Sequence, residues 1–395
     1  MNPVIPLPRA DGSIERYALS GRTAWAAPAR PAFNRIAYSA AHVVANPLAA
    51  VDPWLEAALD WDATIAYRRR LWSMGLGVAE AMDTAQRGMG LDWPTSLELI
   101  GRSLDAARDV PGARLASGCG TDQLALDAAR SVDHVIRAYE EQMAAIEALG
   151  GRLIVMASRA LARVAQGPAD YERVYDRVLR QARQPVILHW LGDMFDPALA
   201  GYWGSSDVDA AMETALGVIA ANAAKVDGIK ISLLDKDKEV AMRRRLPPGV
   251  RMYTGDDFNY AELIAGDGVG ANPNRQHSDA LLGIFDAIAP AASAALSELA
   301  AGHEARFHEI LAPTVPLSRH IFQAPTRFYK TGVVFMAWIN GHQKHFTMVG
   351  GQQSTRSLLH LAELFRLADA ARLIEQPDFA ATRMRQLLAL HGIDA

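Results

Sequence analysis

Val226-Asp227-Gly228-Ile229-Lys230-Ile231-Ser232 is a short apolar run that carries one lysine between two isoleucines. It reads as a β-strand, and a second strand follows it, ending Met252-Tyr253-Thr254-Gly255-Asp256-Asp257. A lysine bracketed by Ile229 and Ile231 has few routes to water. Burial disfavours the ammonium and leaves a neutral amine able to attack a carbonyl. The same residues also fit a lysine whose stem packs on its apolar neighbours while its head reaches water or pairs with Asp256. The rest of the chain is needed to weigh the two.

Outward from this stretch, the sequence shows eight short β-like runs alternating with helical patterns: Arg35 to Ser39, Gly77 to Met82, Arg114 to Gly118, Gly151 to Met156, Pro185 to Trp190, Gly228 to Ser232, Val250 to Gly255 and Gly268 to Ala271. Strand followed by helix, repeated, implies parallel pairing with helical crossovers, and eight such units predict a closed (β/α)8 TIM barrel. Helix starts are marked at Asp52-Pro53, Trp93-Pro94, Ser131 and Ser205-Ser206-Asp207. Ile136, Tyr139, Met143, Ile146 and Leu149 recur at helical spacing, one stripe suited to a barrel's outer surface. Ile5 to Leu19 predicts an N-terminal β-hairpin around Asp11-Gly12. Asp279 onward is mostly helical, punctuated by Pro313, Pro316 and Pro325. The expected organisation is an N-terminal extension over 1–34, a catalytic barrel over 35–290 and a helical C-terminal extension over 291–395.

Composition narrows the function. The 395 residues are 50% hydrophobic and 21% charged, enough for a large core, and the formal net charge of −4 offers no basic field for nucleic acid or an anionic membrane. Cys119 is the only cysteine, so no intrachain disulfide forms and a cytoplasmic location is expected. No signal-peptide or membrane-spanning stretch stands out. A small-molecule substrate is the expected partner, and tail helices rich in alanine and leucine predict a homo-oligomer.

The order of motifs resembles the dihydrodipicolinate synthase and N-acetylneuraminate lyase superfamily of class I Schiff-base aldolases, and is closest to an uncharacterised bacterial branch of it. Gly228-Ile229-Lys230 resembles the sixth-strand lysine motif, Tyr253-Thr254-Gly255-Asp256-Asp257 the seventh-strand Gly-Asp-Asp segment, and Pro185-Val186-Ile187-Leu188-His189-Trp190 the fifth strand. The resemblance covers roughly residues 35 to 290. It implies that Lys230 forms an imine with substrate, with no cofactor, in a lyase, aldolase or dehydratase.

Two departures bear on mechanism. Where the family carries a proton-shuttling tyrosine this chain has His189, whose imidazole does acid–base work near neutral pH; the other reading is a barrel-interior histidine held by hydrogen bonds. After the second strand the family has a hydroxyl-rich turn that binds a keto-acid carboxylate, and here Asp83-Thr84 takes its place, Asp83 repelling a carboxylate unless Arg87 neutralises it. Pyruvate is therefore expected to be a poor substrate, and a keto-sugar or sugar-acid derivative a better one.

The expected catalytic residues are Lys230, His189 and Asp256, with Asp83, Thr84, Arg159, Asp257, Asn272 and His277 binding substrate and no metal. Two alternatives stay open. Glu80, His189, Asp256 and His277 have the side-chain types for a divalent metal in a sugar isomerase or lyase, and a barrel that has lost catalysis would serve as a sugar-binding protein.

Overall fold

The computed structural model describes residues 2–268 and 276–393. The strands are β1 Val4–Pro8, β2 Ile14–Ala18, β3 Ala37–Ala40, β4 Gly77–Glu80, β5 Leu115–Cys119, β6 Leu153–Met156, β7 Val186–Leu191, β8 Val226–Ser232, β9 Arg251–Thr254 and β10 Asp279–Leu282. β3 to β10 close into a barrel in sequence order, β10 pairing with β3, and every pair is parallel. Helices follow the strands, so the expected (β/α)8 barrel is present, with the N-terminal hairpin and the C-terminal helices.

The eighth strand is a correction. It lies at Asp279–Leu282, not at Gly268 to Ala271, a stretch of which all but Gly268 falls outside the described residues. Asp-Ala-Leu-Leu has no β-branched residue and leads straight into helical sequence, so its pattern does not announce a strand. Position does the work instead. Asp279 accepts the backbone N–H of Ile36 at 2.7 Å and pairs with Arg251 Nη1 at 3.0 Å, which fixes the start of β10 between β3 and β9.

Two compact units make up the chain, one of residues 35–41 and 76–282, the other of residues 1–34, 42–75 and 283–395. In the first, Tyr38, Ala40, Ala79, Met82, Ala116, Ile154, Ile187, Tyr253 and Leu281 form one buried cluster. All but Met82, which follows β4, belong to alternate positions of the barrel strands, the set that points inward. Tyr38 and Tyr253 are its largest members, with ring centroids 6.2 Å apart. Each ring lies over a glycine: a Cβ on Gly77 would come within 2.6 Å of the Tyr38 ring, and one on Gly228 within 2.7 Å of the Tyr253 ring. The Tyr253 hydroxyl donates to Asp227 Oδ2 at 2.6 Å, near the start of β8.

The alternation on β8 places the lysine. Ile229 and Ile231 are 0% and 1% exposed. Burying each contributes about 1.5–3 kcal/mol, and a one-residue slip would turn both inward and Lys230 outward. The isoleucines thus hold Gly228, Lys230 and Ser232 on the interior face.

In the second unit, the hairpin pairs in register from Val4 with Ala18 to Pro8 with Ile14. Its loop is longer than the two residues expected: five lie between the strands, closed by Arg9 N–H to Ser13 O at 2.8 Å, with Gly12 at φ +86°. Tyr17 and Ser20 donate to Asp369, which ties the hairpin to the C-terminal helix Leu358–Ala370. The helix start expected at Asp52-Pro53 lies instead at Asp60, whose side chain accepts from Ala63 N–H, and the helix is Trp61–Ser73. The starts at Trp93, Ser131 and Asp207 stand as expected. Among the described residues no helix is long and apolar enough to cross a membrane.

Candidate active site

Lys230 is 7% exposed, and among the described residues no hydrogen bond or ion pair is formed by its amine. Burial lowers its pKa from the ordinary 10.5, while the carboxylates of Asp83 and Asp257 push in the opposite direction. Gly255 makes room for it. A Cβ there would stand 2.7 Å from Lys230 Cε, 2.3 Å from Ser232 Oγ and 2.5 Å from the Ile231 carbonyl oxygen.

His189 is the register partner of Lys230 across β7 and β8 and shares its inward face. It is 1% exposed. Burial first, and the Lys230 charge second, hold its pKa well below 6.5, so the imidazole is neutral at pH 7 and free to accept a proton. Its Nε2 lies 3.4 Å from Ser232 Oγ, two residues beyond the lysine on β8.

Asp83 opens a single helical turn, Asp83–Ala85, directly after β4. Ala81 and Gln86 on either side have φ of +51° and +64°, a left-handed geometry that costs side-chain-bearing residues about 1–3 kcal/mol and persists only where the surroundings impose it. Gly118 of β5 is part of that imposition, since a Cβ there would meet the Ala81 carbonyl at 2.6 Å. The Asp83 carboxylate is half-buried. It is one of the lining groups of a cavity of about 660 Å³ at the C-terminal ends of β4 to β7, to which His189, Thr121, Arg87, Arg159, Met156, Trp93 and several leucines also contribute.

Neither cavity arginine is unengaged. Arg87, 5% exposed, bonds the Gly118 carbonyl, pairs with Asp122 at 2.7 Å and donates to Gln142. Arg159 pairs with Asp196. Arg87 is thus committed to Asp122 and not to offsetting Asp83.

The remaining expected residues separate. Thr84 is buried within the Asp83 turn, and Asp257, 4% exposed, acts on Lys230. Asp256 does not join them. Its Oδ1 accepts Phe258 and Asn259 N–H at 2.8 and 3.0 Å, and its Oδ2 accepts Asn259 Nδ2 at 2.8 Å, so it shapes the turn after β9. His277 precedes β10 and stands among Arg35, Arg243 and Arg251, which with burial push it down to about 4. Arg35 and Arg251 lie at strand starts, so His277 is at the end of the barrel opposite the cavity. Asn272 lies outside the described residues. Glu80 faces away from the barrel interior and accepts Ser103 Oγ at 2.6 Å from the helix Trp93–Arg108. The metal set Glu80, His189, Asp256 and His277 is therefore not assembled, and among the described residues no three His, Cys, Asp or Glu groups are placed to hold an ion.

Over residues 5–393 the sequence matches a family described as "Protein of unknown function (DUF993)". The chain belongs to that family. No curated protein matches it. Solved structures show what fold this DUF993 chain has. YagE, a prophage protein of the dihydrodipicolinic acid synthase family from E. coli in complex with pyruvate, aligns at TM-score 0.64 and 14% identity over 87% of this chain and 100% of that one. Dihydrodipicolinate synthase from Aquifex aeolicus aligns at 0.59 and 12% over 91% and 98%. The enzyme from Cyanidioschyzon merolae with lysine bound aligns at 0.62 and 14% over 85% and 98%. At these identities the likeness is one of fold.

Two groups escaped the sequence reading, whereas Ser232 belongs to the polar residues that the strand ends present, two residues along β8 from Lys230. The Arg87–Asp122–Gln142 network joins three separate segments, and no local pattern announces it. Leu91, Leu124 and Leu126 of the cavity wall sit in loops, where apolar residues carry no period to read, and Trp93 opens a helix.

Proposed function

We propose that this protein is a Schiff-base lyase or aldolase acting on a small neutral carbonyl compound of the keto-sugar or sugar-acid-derived kind. The observation that carries the reading is the pairing of a buried, pKa-lowered Lys230 with a neutral His189 that stands in register beside it and lines the cavity. Lys230 Nζ attacks the substrate carbonyl, and loss of water gives the iminium. In the cleavage direction His189 accepts the β-hydroxyl proton, the carbon–carbon bond breaks, and its electron pair enters the iminium to give an enamine and a free aldehyde. His189 returns the proton to the enamine carbon, and water hydrolyses the iminium to ketone and amine. Proton loss followed by departure of hydroxide uses the same sink and gives dehydration. The iminium draws the electrons, so the reading assigns no metal or organic cofactor. Asp83 disfavours a substrate carboxylate beside Lys230 and accepts hydrogen bonds from hydroxyl groups. Asp257 stands on the other side as a charge partner for the lysine. A cytoplasmic homo-oligomer completes the proposal, supported by the single, buried Cys119, whose thiol burial pushes up to about 12, and by exposed Leu359 and Leu390 on the tail helices.

Borohydride reduction in the presence of dihydroxyacetone should leave a stable secondary amine on Lys230, found by peptide mapping. Lys230→Arg should fold, form no adduct and lose turnover by orders of magnitude, because guanidinium stays protonated. An adduct on another lysine, or an active Lys230→Arg, would defeat the assignment; saturable ligand binding with no adduct at all would point to the non-catalytic sugar-binding barrel.

A further inference from the structure

We propose that the outer half of the 660 Å³ cavity is a subsite for an apolar, aromatic aldehyde group, the fragment that Lys230 chemistry releases or adds. The inference rests on the Schiff-base reading for the role of that fragment, confines the hydroxyl groups of the proposed substrate to the part beside Asp83, and rests on the cavity itself for the chemistry of the rest.

Size comes first. A three-carbon ketone takes up about as much space as three or four waters, roughly 100 Å³, so most of the cavity stays open when one is held beside His189, the lining residue in register with Lys230. The walls of that remainder are Leu91 and Trp93 after β4, Leu124 and Leu126 after β5, and Leu199 after β7. Leu126 is 39% exposed, a large apolar side chain left facing open space.

The polar groups interleaved with these walls are already engaged with one another. Thr121 Oγ1 bonds Ser158 Oγ at 2.6 Å. Gln123 donates to the Ala138 carbonyl at 2.8 Å and accepts from Gln142. Asp92 caps the helix that Trp93 opens. Arg87 is held by Asp122 and Gln142 with its guanidinium 5.1 Å from the centre of the Trp93 ring, and Arg159 is held by Asp196. A phosphate or carboxylate on this fragment would be bound beside the carboxylates of Asp122 and Asp196, which already neutralise the two arginines. A chain of hydroxyls would lose water and find Thr121, Gln123 and Arg87 already bonded within the protein. An aromatic ring loses nothing of that kind and covers Trp93, Leu124 and Leu126.

Benzyl alcohol, which cannot form an imine, separates this inference from the Lys230 chemistry. In calorimetric titration it should bind the full-length protein, glycerol should not displace it, and Leu126→Asp should weaken it ten-fold or more, with Leu126→Ala falling between. Trapping of acetone on Lys230 by borohydride, in the wild-type protein, tests the imine separately. Absence of benzyl alcohol binding, displacement by glycerol, or unchanged affinity in Leu126→Asp would overturn the aromatic subsite even where acetone is trapped. Benzyl alcohol binding without acetone trapping would keep the subsite and remove the covalent reading.

Discussion

Replacing Gly255 by alanine tests whether the position of the lysine, and not merely its presence, is built into the barrel. The added Cβ would lie 2.3 Å from Ser232 Oγ, 2.5 Å from the Ile231 carbonyl oxygen and 2.7 Å from Lys230 Cε. Ordinary contacts of this kind are roughly 3.5 Å, so each falls short by about an ångström. The carbonyl belongs to the β8 backbone and cannot swing away. Relief must come from parting β8 and β9, where Gly255 N–H bonds Ile231 O at 2.9 Å, or from displacing the Lys230 stem. Overpacking of this size costs about 1–3 kcal/mol, within the ~5–15 kcal/mol by which domains are stable, so Gly255→Ala should fold. A reacting group misplaced by about 1 Å loses roughly 10²-fold in rate. The rate of borohydride-trapped dihydroxyacetone adduct formation should fall by about that factor. Gly249→Ala supplies the control: it strains a backbone at φ +85° with no neighbour within 4 Å, so it should lower the melting temperature and leave adduct formation alone. A folded Gly255→Ala protein that forms adduct at the wild-type rate would refute the reasoning.

Two pH predictions follow from buried groups. The unfolded chain protonates His189 as pH falls through about 6.5, whereas the folded protein, with its imidazole held well below that, does not; acid therefore favours unfolding. Wild type should lose stability below pH 6.5 relative to His189→Gln in urea titrations, and parallel pH slopes would contradict the burial argument. Glu239 behaves oppositely. It is 1% exposed, accepts Ser278 and Thr254 hydroxyls at 2.7 and 2.9 Å, and is pushed by burial up to about 8. Between its ordinary 4.5 and about 8 the folded protein holds a proton that the unfolded chain releases, so stability should fall as pH rises through that window, and Glu239→Gln should flatten the fall. Identical wild-type and variant slopes from pH 5 to 9 would sink this.

Much of the barrel was legible because its signals are local. Strand, helix and strand again recur at regular intervals, and the isoleucines flanking Lys230 fix which way it faces. The residues that failed did so for want of a local signal. Asp256 and Asp257 are adjacent and chemically identical, and only the inward turn of Tyr253 and Gly255 tells which carboxylate sits on the lysine's side. His277 lies away from the cavity because the last strand starts at Asp279, eleven residues beyond the β-like run at Gly268, so His277 precedes that strand and does not follow it. That strand is set by long-range pairing of Asp279 with Ile36 and Arg251, which a sequence window does not contain. The cavity wall comes from loops after different strands, brought together only by barrel closure.

Tyr38 and Tyr253, seated over Gly77 and Gly228, fill the barrel beneath the lysine. With the base of the barrel filled, product release follows the C-terminal ends of the strands, and release along a shared route has an order. On the proposed subsite the aldehyde fragment would stand on the solvent side of Lys230 and should depart first, with the water that frees the second product following it in. Kinetics with two products should then be those of a queue: the aldehyde inhibits by re-entering an occupied covalent intermediate, and the ketone by competing for the empty amine.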